Sequence, residues 1–103
     1  MSYTLIMTWN IKEGMEQEYF EFVVRDWVPV TSRLGLKMVA VWYTQYSADD
    51  DIPIIRAEGI TEDIETMRHV LQHHDWLSIQ EKLLDYAENY HHKVVETTGE
   101  FQL

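Results

Sequence analysis

The spacing of apolar residues switches period four times along this chain, and that alternation limits the fold more than any other feature. Residues 3–11, YTLIMTWNI, put Tyr3, Leu5, Met7, Trp9 and Ile11 on one side and Thr4, Ile6, Thr8 and Asn10 on the other. A period of two with one strongly apolar side is a strand lying on a core. After the turn Lys12-Glu13-Gly14, the residues Met15, Tyr19, Phe22, Val23, Trp27, Val30 and Leu34 follow helical spacing. They predict an amphipathic helix over 15–34. Pro29 should bend or break it by leaving the carbonyl of Arg25 without its donor, and Gly35 reads as the C-cap. Residues 36–46, LKMVAVWYTQY, and 52–60, IPIIRAEGI, are β-branched and aromatic and flank a polar turn, so they predict a hairpin. Asp49 to Asp51 in that turn lack the spaced acids of a calcium loop and read as solvated. A second helical segment opens at Thr61, read as its N-cap. Residues 91–103 predict a short fourth strand with a tail. The order β-α-β-β-α-β in a single domain, 1–103, is ferredoxin-like α+β: a four-stranded antiparallel sheet with helices on one face.

The second helical segment holds an internal conflict. At about 100° per residue, Met67, Val70 and Leu71 form one apolar stripe, while Trp76, Ile79, Leu83, Tyr86, Ala87 and Tyr90 form another roughly 150° away. No straight helix lays both on one sheet. The helix must break, and the break falls at His73-His74-Asp75, with Asp75 as N-cap of the second piece. His69 and His73 are spaced i, i+4, but His69 lies opposite its stripe and faces water. The pair lacks a third ligand and a carboxylate to orient it, so a break decorated with polar residues is the preferred reading and a metal-assisted site at His69 and His73 the weaker one. His91 and His92, on an extended strand, point to opposite faces and do not form a pair.

Composition removes several function classes. With 18 acids against 8 Lys and Arg the net charge is −10, which opposes binding to nucleic acid or anionic lipid. Cysteine is absent, so disulfides, thiolate nucleophiles and thiolate metal sites are excluded. No apolar run reaches membrane-spanning length and the first residues lack a signal-peptide pattern, so the expectation is a cytoplasmic protein. No nucleophile with an adjacent base, phosphate-cradling glycine loop or paired-carboxylate signature is present.

Three stretches, "IKEGMEQEYFEF", "WVPVTSRLGLKMVAVWYT" and "HHDWLSIQEKL", together make the chain resemble the dimeric α/β-barrel superfamily over about residues 3–96. The likeness is to NIPSNAP-type domains and, more distantly, to antibiotic-biosynthesis monooxygenase-type domains. It implies a homodimer with two sheets face to face and a pocket between each sheet and its own helices. Physical reasoning agrees, because helices on one side leave the other sheet face bare, with Ile6 and Ile54 on it, for a second copy to cover. The haem degraders of the superfamily carry an essential Asn where this chain has Met7. Their Trp and His fall near Val70 and Gln80, while Asn10 and Trp76 stand elsewhere, so haem degradation is not expected.

Residues expected to line the pocket are Met7, Trp9, Trp27, Tyr43, Arg56 and Trp76. Candidate catalytic bases are Asp26, on the apolar side of the first helix, and His73 and His74 at the break. A buried Asp26 would be a tuned base, whereas a bend at Pro29 or an arginine such as Arg56 would make it structural. Trp42 and Tyr43 point to opposite faces, one of them pocketward, and Arg56 and Glu58 should form a salt bridge, either with each other or across the dimer interface, in preference to binding an anion. The reading is a homodimeric small-molecule-binding or interaction domain without a cofactor. The alternative is a cofactor-independent oxygenase or isomerase acting on an apolar or aromatic molecule, with Tyr43 orienting it.

Overall fold

The computed structural model describes residues 1–44 and 54–97, with side chains described for 1–39 and 55–97. The turn at 47–51 with Asp49 to Asp51, and the side chains of Trp42, Tyr43 and Ile54, lie outside the described residues. The elements are β1 (Tyr3–Ile11), α1 (Glu16–Phe22), a π-helical turn (Val23–Trp27), α2 (Val28–Leu34), β2 (Lys37–Thr44), β3 (Ile54–Thr61), α3 (Ile64–Gln72), α4 (His74–Leu83) and β4 (Ala87–Glu96). The sheet order is β2-β3-β1-β4 with every neighbour antiparallel. This is the expected ferredoxin-like arrangement. The described helices all cover one face, and the shortest dimension, 18 Å, is that of one sheet layer plus one helix layer.

Pro29 does not break the first helix. The helix widens just before it: the Val28 N–H reaches back five residues to the carbonyl of Val23. A π turn of this kind absorbs an irregular bonding step without ending the rod. Proline then occupies the first turn of α2, where a missing N–H costs least. Thr31, fully buried, donates its hydroxyl to the carbonyl of Trp27 at 2.9 Å and so buries no unpaired polar group. Gly35 takes φ 100° and closes α2 through its N–H to Ser32, as a left-handed C-cap requires.

The second helix breaks where the two stripes demand it. His73 is extended (φ −71°, ψ 138°), ending α3 and starting α4. Met67 and Val70 face the core from α3, and Trp76, Ile79 and Leu83 from α4. Both N-caps differ from expectation. Thr61 ends β3, and Asp63 caps α3 by accepting the Thr66 N–H at 2.7 Å, a bond that holds its carboxyl below the usual range. At the break His73, not Asp75, caps α4: its Nδ1 accepts the Asp75 N–H at 3.0 Å, which leaves Asp75 in the first turn.

The fourth strand begins at Ala87 rather than at 91, so Tyr86, Ala87 and Tyr90 are not helical. Asn89 has φ 57°, and the β1–β4 register shifts between Thr8 and Asn10. That bulge lets Ala87 and Tyr90 turn inward although three residues apart, a spacing indistinguishable from a helix in sequence. Gly59, at the centre of β3, meets buried Leu36: a Cβ there would lie 2.7 Å from the Leu36 Cγ. Gly59→Ala is expected to destabilise the fold by about 1–3 kcal/mol through overpacking, measured as a lowered urea midpoint at unchanged slope.

Candidate functional site

The helix-bearing side of the sheet is packed by a chain of rings. Tyr90 on β4 lies near-parallel to Trp9 on β1, with centroids 6.0 Å apart and planes 17° apart. Trp9 meets Trp27 of the π turn at 5.7 Å, and Trp27 meets Trp76 of α4 at 5.5 Å. Phe22 packs on Tyr86 at 5.1 Å. Met7, Trp9, Trp27 and Trp76 are at most 3% exposed, so four of the residues expected to line a pocket fill the core together.

One polar contact is set into this aromatic layer and a second lies at its exposed edge. The Trp9 Nε1–H donates to the Tyr19 hydroxyl at 2.9 Å. Burial pushes the Tyr19 hydroxyl up to about 12, against a smaller downward pull from that bond. Tyr90 Oη and His92 Nδ1 are 2.9 Å apart. Burial raises the Tyr90 pKa and lowers that of His92, since both charged forms lose solvation. At neutral pH the pair is therefore an uncharged phenol beside an uncharged imidazole. Sequence reasoning missed Tyr19, Tyr90 and His92. The legible signal was the spacing of Tyr90 and His92 by two on a strand, which puts both on one face.

The expected catalytic residues do not converge on that layer. The π turn carries Trp27, rather than Asp26, back over the core. Asp26 is left 32% exposed and ion-paired with Arg25 at 3.3 Å, not with Arg56. His73 spends its Nδ1 on the α4 cap. His74 is 87% exposed, with its Nε2 3.2 Å from Asp75 Oδ1.

Arg56 stands on the other face of the sheet. Ile55 and Ala57 are buried among the core residues, so Arg56 and Glu58, which alternate with them, face away. They form the anticipated salt bridge at 3.0 Å. In register beside them are Ile6 and Thr8 of β1, then His91 and Lys93 of β4. Ile6, Thr8, Arg56, His91, His92 and Lys93 line a shallow hollow of about 290 Å³. A second hollow, about 470 Å³, lies on the outside of the first helix between Phe20, Glu21, Val24 and Arg25. Neither includes Asp26, His73 or His74.

What this geometry defines is a ferredoxin-like α+β domain with a closed aromatic interior and a second sheet face that none of the described helices covers. No protein-family model matches the sequence, and no curated protein matches it. Solved structures do share its fold. A NIPSNAP family protein from Agrobacterium tumefaciens superposes with TM-score 0.67 over 95% of this chain and 94% of that one, at 11% identity. SnoaB, a cofactor-independent oxygenase from Streptomyces nogalater, gives 0.68 over 99% and 98%, at 13% identity. An ethyl tert-butyl ether (ethd) family protein from Bacillus halodurans gives 0.71 over 95% and 100%, at 17% identity. The fold is thus that of NIPSNAP proteins and their ferredoxin-like relatives, as the sequence resemblance implied.

Two outcomes follow from the polar contacts in the ring layer and at its edge. Tyr19→Phe strands the buried Trp9 N–H and should cost about 1–3 kcal/mol in denaturant unfolding. His92, with its pKa lowered in the folded state, stabilises above its unfolded pKa, and that contribution is lost as pH falls through the folded one. Below pH ~6.5 the wild type should therefore lose stability more steeply than His92→Gln, in paired urea titrations.

Proposed function

We propose that this chain is a cytoplasmic homodimeric binding or interaction domain of the NIPSNAP-like type, its two copies joined through the open sheet face. The observation that carries this reading is the contrast between the two sides of one sheet. The helix side is sealed by Trp9, Trp27 and Trp76. The other side carries Thr4, Ile6 and Thr8 flanked by Ile60 and Val95, with the described helices all on the opposite face. Ile6, with Glu58 and Lys93 as its cross-strand neighbours and Arg56 opposite Thr8, makes a mixed apolar and charged face, the kind that a second copy can meet with complementary charges. A two-fold contact satisfies such a face with itself. A small molecule would then be held in the hollow beside Ile6 and Thr8, walled by the second copy.

The second reading is a cofactor-independent oxygenase or isomerase, and the fold shared with SnoaB supports it. That chemistry needs a base beside a substrate cavity. The ion pair at Asp26 and the capping role of His73 weigh against those residues as the base, so the binding reading is preferred.

Sedimentation equilibrium is expected to give a mass near twice 12.3 kDa at micromolar concentration. Ile6→Lys, which puts a charge in the centre of the face, should raise the dimer dissociation constant at least about tenfold. A wild-type chain that stays monomeric at ~100 μM, an affinity too weak for a stable dimer, would end this reading.

A further inference from the structure

The helix break gathers more chemistry than its structural role needs. His73, His74 and Asp75 each offer a ligand atom, and these atoms all lie within 4.8 Å of one another. The His69 ring, on the last turn of α3, stands with its centroid 5.5 Å from that of His73. Two imidazoles bound to one tetrahedral ion, with metal–nitrogen bonds of ~2.1 Å, hold their ring centres about 5.3 Å apart. The His69–His73 separation matches that value, whereas His73 and His74 are stacked at 4.6 Å with planes 23° apart, so one of those two rings must rotate to share an ion. The sequence showed two histidines on a wet helix face and no third donor. Extending the backbone at His73 is what swings His74 and Asp75 into the same space.

We propose that this break binds a divalent transition-metal ion of the zinc or nickel kind, with His73 and His74 as ligands, His69 as a further imidazole, and Asp75 as their carboxylate partner. In the metal-free chain His73 Nδ1 accepts the Asp75 N–H, so its ring proton sits on Nε2. Coordination through Nε2 moves that proton to Nδ1, which gives up the Asp75 N–H as its donor and turns instead to donate to Asp75 Oδ2, 3.9 Å away. A carboxylate behind the ligating ring is the arrangement that orients imidazoles on a metal. The second oxygen, Oδ1, already stands 3.2 Å from His74 Nε2.

The local field permits a cation. The positive end of α4 and the negative end of α3 meet at the break and oppose one another. The chain as a whole carries −10, which raises the local concentration of cations. Imidazole nitrogen with one carboxylate suits borderline ions and not magnesium or calcium, which take oxygen ligands. The side chains must close in by roughly an ångström to reach bonding geometry, and the exposure of His74, 87%, leaves it free to do so.

The test is calorimetric titration of the full chain, carrying no histidine tag, with zinc chloride and with nickel chloride. One ion per chain should bind saturably. His73→Asn keeps an N-cap residue of the best class and should weaken binding about 10- to 100-fold, with the helical circular dichroism of the metal-free chain unchanged. His74→Gln, at an exposed position, should weaken binding in the same direction, and magnesium should not compete. Glu16→Gln, a surface acid on α1, should titrate as wild type. Absence of saturable binding at ~1 mM, wild-type affinity in both histidine variants, or equal loss in Glu16→Gln would each overturn the proposal.

Discussion

The contact on which the rest of this structure depends is the one between Trp27 and two of its ring neighbours, Trp9 and Trp76. It joins the first strand, the first helix and the second half of the broken helix in one row of rings. Rings of this size bury the largest area per residue and favour edge-on or offset contacts. Trp27 reaches its place because the helix widens over Val23–Trp27. The same widening lets the rod carry Pro29 without breaking and leaves Asp26 half-buried beside Arg25. One irregular turn thus fixes core packing, backbone continuity and the fate of the most conspicuous carboxylate.

The second irregularity, at His73, resolves a conflict of phase. Two apolar stripes on one helix cannot both reach the same sheet, and interrupting the helix is the solution that keeps both buried. Capping the new N-terminus is then obligatory, because the first amides of α4 have no partner within the helix. The imidazole of His73 does this through Nδ1. A histidine committed to a cap is a poor free base, yet its other nitrogen stays available. Structural duty and ligand capacity compete at that residue, because a metal on Nε2 puts the ring proton on Nδ1 and ends its role as acceptor.

Polarity divides the sheet as cleanly as packing does. Tyr19 and Tyr90 sit on the helix side, where burial raises their hydroxyl pKa values, and His92, beside Tyr90 at the exposed edge, has its own lowered. Arg56, Glu58 and Lys93 sit on the other side with Ile6 among them. Charges that alternate with core residues on a central strand are tolerated only where water or a partner's surface meets them. This is why the charged strand face and the closed aromatic face make different offers to other molecules.

The amino-acid sequence by itself determined the element order, the one-sided placement of the helices, the C-cap at Gly35 and the break at residues 73–75. Each follows from local periodicity or from a single residue's backbone preference, which are short-range quantities. Tertiary structure alone decided the rest. The spacing of Ala87 and Tyr90 by three reads as helix until pairing with β1 shows a bulge at Asn89. Asp26 reads as buried until the π turn moves it, and Arg56 groups with the tryptophans until the register of β3 sends it to the opposite face. Asp75 joins the histidines only once His73 is extended. Period and propensity describe a residue relative to its own neighbours along the chain. Which face it finally serves depends on contacts between distant segments, and these exist only when the sheet and helices have come together.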